Sequence, residues 1–123
     1  MHRLGDLQLL IMKVLWERRE ATVAEALEAL GPHTDLAYTT VATMLRKMEA
    51  RGLVTHRAGG RSFIYRAQVA AADVSRSMAD HLVDGLFEGS LTEVVNHLLT
   101  TREVSRKELN ELERLIVERK KKI

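Results

Sequence analysis

Between Leu53 and Ala67 the hydrophobic period of this chain switches from helical to alternating, and it switches back after Ala72. In LVTHRAGGRSFIYRA, Phe63 and Tyr65 alternate with Ser62, Ile64 and Arg66, and Ala58-Gly59-Gly60-Arg61 supplies turn residues between two short runs. A period of two around such a turn describes a β-hairpin. A phosphate-cradling loop at Gly59-Gly60 is the weaker reading, because no Lys-Ser/Thr follows and no helix opens there. A lone hairpin inside an otherwise helical chain is a strong constraint on architecture.

The helical stretches are punctuated clearly. Leu4, Leu7, Ile11, Val14 and Leu15 form one apolar stripe, with Trp16 expected to anchor it. Thr22-x-x-Glu25 reads as a capping box that starts a second helix with Val23, Leu27 and Leu30 inward. Gly31 suits its C-terminal cap and Pro32 cannot continue it. A third helix runs from about Ala37 to Arg51 and closes at Gly52. Past the hairpin, Val74, Met78, Leu82 and Leu86 step by four. Ser90-x-x-Glu93 and Ser105-x-x-Glu108 then start two helices, one carrying Leu91, Val94, Val95 and Leu98, the other Leu109, Leu112, Leu115 and Ile116. Three such pieces are too thin to bury a core alone, so a partner subunit is expected to complete it. The Met78-Leu82-Leu86 stripe is read as part of that seam rather than as the wall of a ligand pocket.

Composition narrows the class. Apolar residues make up 46% of the 123 but aromatics only 4%, so the core is aliphatic and methionine-filled, which favours helices over a sandwich. The chain has no cysteine, which excludes disulfides, thiolate metal sites and cysteine nucleophiles and suits a reducing cytoplasm. LQLLIMKVLW, interrupted by Lys13, falls short of the roughly 20 apolar residues of a membrane span and has neither the length nor the flanks of a signal peptide. No membrane partner is expected.

The net charge of +2 is unevenly spread. Residues 1–33 carry 4 basic and 5 acidic groups and residues 67–123 carry 9 and 10, whereas residues 34–66 carry 6 basic against 2 acidic. The positive excess therefore lies where the third helix and the hairpin lie. Solvated surface charge is the bland reading; a polyphosphate partner is the sharper one.

The third helix decides between them. At about 100° per residue, Val41, Met44, Leu45 and Met48 form one stripe, with Thr39, Thr43 and Arg46 opposite and Ala42 and Lys47 on the flanks. An apolar side that seats the helix and a short-side-chain side that enters a major groove are what a recognition helix needs. Threonine can donate or accept at base edges or touch a thymine methyl, and Arg46 can reach a guanine or a phosphate. Arg57, Arg61 and Arg66 on the hairpin are expected beside this face, gripping flanking backbone. Three helices followed by a basic hairpin describe a winged helix-turn-helix with double-stranded DNA as partner.

Other readings are weaker. The histidines at 2, 33, 56, 81 and 97 are dispersed and form no nucleophile or metal signature, so no enzyme and no cofactor are expected. His81 with Asp80 and Asp84 spans one helical turn; a solvated face is favoured over a metal site, which would make a metal-responsive regulator. A winged-helix protein-interaction adaptor would need no cationic third helix. The C-terminal RKKK run adds non-specific phosphate affinity or favours the carbonyl end of the last helix.

These residues also resemble a family, the BlaI/MecI-type penicillinase repressors, over nearly the whole chain. LGDLQLLIMKVLW is similar to its first helix with the closing tryptophan, LAYTTVATMLRKMEARGLV to its recognition helix and following glycine, and RSFIYRA to its second wing strand. LFEGSLTEVVNHLL and VSRKELNELERLI resemble the two terminal helices through which members dimerise. The resemblance implies a homodimeric repressor on an inverted repeat, with Thr39, Thr40, Ala42 and Thr43 at base-reading positions. The family's Asn–Phe cleavage site is absent, the segment reading Asn96-His97-Leu98, and the cysteines of a copper-responsive branch are absent too. The expectation is a mainly α chain with a small β-hairpin: a winged-helix DNA-binding domain at 1–67 and a helical dimerisation region at 70–123. The seam is expected from Met78, Leu82, Leu86, Leu91, Val94, Val95, Leu98, Leu109, Leu112, Leu115 and Ile116.

Overall fold

The computed structural model describes residues 4–31 and 35–123, so Pro32, expected to stop the second helix, lies outside the described residues. The elements run α1 (Asp6–Arg18), β1 (Glu20–Thr22), α2 (Val23–Leu30), α3 (Tyr38–Ala50), β2 (Val54–Gly59), β3 (Ser62–Ala67), α4 (Ala71–Phe87), α5 (Leu91–Thr101) and α6 (Arg106–Lys121). The chain divides into two compact units, residues 1–80 and 81–123. The mainly α class with a hairpin holds, with one addition: β1 joins the hairpin to make a three-stranded antiparallel sheet in the order β1-β3-β2.

In the first unit, Ile11, Met12 and Leu15 of α1, Ala26 and Leu30 of α2, and Val41, Leu45 and Met48 of α3 are all at most 1% exposed. Leu53, Val54 and Tyr65 close the same core from the sheet. Burying an aliphatic side chain of this size contributes about 1.5–3 kcal/mol, so the three stripes suffice to hold three short helices together. Of the expected stripes, Leu4, Leu7 and Val14 of the first, Leu27 of the second and Met44 of the third are only partly buried, whereas Met12 and Ala26, not singled out in the sequence, are fully buried. Trp16 does anchor α1: its Nε1 donates to the Val69 carbonyl at 2.9 Å, tying the helix to the segment after β3.

The local signals act as their chemistry requires. At the start of α2 the Thr22 hydroxyl accepts from the Glu25 amide at 3.1 Å and the Thr22 amide donates to the Glu25 carboxylate at 2.9 Å, a complete capping box. At Ser90 and Ser105 the hydroxyl accepts from the N3 amide at 3.1 Å, but the Ser90 amide itself donates back to the Phe87 carbonyl. Gly31 caps α2 in the right-handed region, its amide donating to Leu27 and Glu28. No helix among the described residues is long and apolar enough to cross a membrane.

Candidate nucleic-acid interface

Helix α3 ends in a Schellman turn. Gly52 has φ +77°, its amide donates to Glu49, and the Leu53 amide donates to Met48, so the chain turns directly from α3 into β2. With Val41, Leu45 and Met48 buried, the opposite side of α3 presents Thr39, Thr40, Arg46 and Lys47 exposed and Ala42 and Thr43 half-buried. The Arg46 guanidinium donates to the Thr43 hydroxyl at 3.2 Å, so two expected base-facing residues already share one arrangement. Tyr38, half-exposed at the first turn, joins this surface and was not singled out in the sequence. One flank of α3 faces α1, where Gln8 donates to the Met44 sulfur at 3.5 Å and accepts from Arg51 at 2.9 Å.

The hairpin needs a correction. Tyr65 pairs with His56 and Ala21, Arg57 with Ile64, and Arg66 with Thr55 and Glu20. Side chains alternate faces, so Val54, His56, Phe63 and Tyr65 lie on the face that packs on α3, and Arg57 and Arg66 lie on the other. The three arginines are therefore not gathered beside the threonine face. Arg57 is also neutralised, its guanidinium donating to the Glu20 carboxylate at 2.9 Å. Arg61 differs: it sits in the two-residue turn closed by the Gly59–Ser62 pair, after Gly60 at φ +70°, and is exposed. Among the described residues it has no ion pair.

On the face toward α3 lies a cluster that sequence reasoning missed. His56 Nδ1 meets both carboxylate oxygens of Glu49 at 2.8 Å. Phe63 stacks on the His56 ring at 4.1 Å, and Tyr65 tilts against it at 5.5 Å. Burial pushes the Tyr65 phenol above its ordinary value, the Glu49 carboxylate adds to the rise, and Arg46 opposes it. The phenol therefore stays protonated at any neutral pH. The only sequence signal was the spacing of Glu49 and His56 across a glycine, which means nothing until the strand register is known.

In the second unit, Leu82, Leu86, Leu91, Val95, Leu98, Leu109, Leu115 and Ile116 are exposed, Leu86 at 73%. Leu99 and Val117, absent from the expected seam, are exposed too. Val95, Leu99, Leu109, Leu112, Leu115 and Ile116 line one open apolar groove along α5 and α6. Val94 of the expected seam is buried within the single chain, at 7% exposure. Met78 falls in the first unit, half-buried. Phe87 closes against His97 with ring centroids 5.6 Å apart. Among the described residues no three His, Asp or Glu side chains are grouped so as to hold a metal, the His81 turn included.

A family model described as the penicillinase repressor matches residues 4–118. The penicillinase repressor of Bacillus licheniformis is 25% identical over 118 residues, spanning 96% of this chain and 92% of its own. The transcriptional regulator BlaI of Mycobacterium tuberculosis is 38% identical over 100 residues, spanning 79% of this chain and 72% of its own. Among solved structures, monomeric Bacillus licheniformis BlaI in complex with the blaP half-operator superposes with a TM-score of 0.50 at 27% identity, covering 58% of this chain and 87% of that one. With nearly its whole length matched, the chain belongs to the penicillinase repressor family.

Proposed function

We propose that the protein is a sequence-specific transcriptional repressor that binds double-stranded DNA through α3 and acts by occupancy, not by catalysis. The observation that carries this reading is the division of α3: Val41, Leu45 and Met48 are fully buried while Thr39, Thr43 and Arg46 face outward, in the stretch that holds the chain's positive excess. Short hydroxyls on an exposed helix face suit a major groove, where an arginine held by Thr43 can be presented to a guanine edge. A relative solved in complex with a half-operator supports DNA as the partner.

The reading extends to assembly. Residues 1–67 form the DNA-binding part, and residues 70–123 join two copies through the exposed leucines of α5 and α6. Two recognition helices related by a twofold axis read half-sites about 34 Å, or a multiple of it, apart, so the operator is an inverted repeat. The protein works in the cytoplasm, where its DNA is. The test is fluorescence anisotropy on the duplex upstream of its own gene beside a scrambled duplex, across a range of salt. Tight binding that survives salt on the native duplex alone supports the repressor. Absence of binding to that duplex and to any duplex selected from a random pool overturns it in favour of a protein-interaction adaptor.

A further inference from the structure

Helix α3 and the hairpin meet at a single sharp corner. The chain leaves α3 at Arg51, turns at Gly52 and enters β2 at Val54. Leu53, 1% exposed, anchors the corner, and its carbonyl accepts from the Gln68 amide at 2.9 Å. Val54 and Tyr65, buried in the same core as α3, add apolar contacts that carry no fixed direction, so the angle between the elements depends on a directional bond beside them. Glu49 and His56, one turn before the corner and two residues into the strand, provide a second tie.

We infer that Glu49 and His56 are positioning residues that hold the recognition helix and the hairpin at a fixed angle, so that sequence preference depends on a bond that touches no base. The inference rests on the DNA-binding reading of α3. A carboxylate can only accept, so His56 Nδ1 donates, with both oxygens of Glu49 within 2.8 Å. The stack of Phe63 on the imidazole, with planes 28° apart, stops the ring from rotating out of that bond. Both side chains are only 31% exposed, so solvent weakens the tie little. Tyr65 closes the cluster from beneath. Glu49 lies one helical turn after Arg46, which donates to Thr43, so the cluster borders the outward face of α3 itself.

Charge opposes the alternative that Glu49 acts on DNA directly. A carboxylate near phosphates repels them, so its removal by itself strengthens binding to every duplex alike. A fall in preference after removal therefore reports lost positioning.

The experiment uses the full chain and the duplex that wild type selects from a random pool, with a scrambled duplex beside it. Affinities are measured at a temperature at which circular dichroism shows every variant folded. Glu49→Ala and His56→Ala are expected to reduce the ratio of selected to scrambled affinity about tenfold, the order of one hydrogen bond. Glu49→Gln also lacks the charge but keeps an oxygen that accepts from His56, and it should hold the ratio within about twofold of wild type. A merely stabilising pair would lower the melting temperature and leave the ratio of the folded protein unchanged, and that result overturns the inference. Equal loss in Glu49→Ala and Glu49→Gln overturns it as well, since an oxygen that still accepts from His56 would then not preserve the preference. Failure of wild type to select any sequence is a different result: it removes the DNA reading on which the inference stands.

Discussion

Arg57 and Arg61, four residues apart on one hairpin, stand in opposite electrostatic situations. Arg57 is held by Glu20 at 2.9 Å, whereas Arg61 projects from the turn. An exposed pair of this kind is worth little to stability, but it removes one cation from those available to phosphates. Arg61→Ala is therefore expected to weaken binding to selected and scrambled duplexes alike and to lower the salt slope by about one unit. Arg57→Ala should lower it by much less, and equal slopes for the two variants would count against the pairing. Thr43→Ala belongs to the other class. It removes a hydroxyl that Arg46 already uses, and should cost on the order of 1 kcal/mol on the selected duplex while sparing the scrambled one. Comparable losses on both duplexes would argue that α3 reads no bases.

At the scale of elements, what the sequence made legible was whatever rests on local chemistry. Helices α1 to α3 and their ends follow from stripes, the Thr22–Glu25 box and Gly52, all within a turn or two of the residues they control. Strand β1 was not legible. Glu20-Ala21-Thr22 is too short to show a period, and it is a strand only because β3, more than forty residues later, pairs with it. The faces of Arg57 and Arg66 were hidden for the same reason: a one-residue change of register moves every side chain across the sheet. Local chemistry at α2 carries a pH signature. The Glu25 carboxyl is held below its ordinary value by its bond from the Thr22 amide first and by the Thr22 hydroxyl second. A depressed carboxyl adds stability that is present above its unfolded value, near 4.5, and is lost as pH falls through the lower folded value. Glu25→Ala should therefore melt below wild type at neutral pH, with the gap narrowing once the pH drops under 4.5. Thermal melts over a pH series check this, and a gap that does not change with pH would mean that the carboxylate is not the cause.

For the whole molecule the question is what covers the leucines of the second unit. In a single chain Leu91 is 67% exposed, and Leu115 and Ile116, 54% and 55% exposed, border a largely apolar groove between α5 and α6. On the proposed reading a second copy of the chain covers this surface, since an exposed apolar patch of this kind marks an interaction site. The twofold relation then matters for binding strength, because two linked recognition helices bind as one unit and a lone helix loses that effective concentration. Leu115→Asp is the informative variant: Leu115 is exposed in its own subunit, so a charge there costs the monomer little, whereas Leu112 is half-buried and its loss would perturb the subunit itself. Sedimentation is expected to give a dimer for wild type and a monomer for Leu115→Asp, with the first unit's melting unchanged. Anisotropy on an inverted-repeat duplex should then show at least a tenfold loss for the variant, while a single half-site binds both proteins alike. A monomeric Leu115→Asp that held the full repeat as tightly as wild type would mean that each subunit reads its half-site independently, and the C-terminal helices would then need another role.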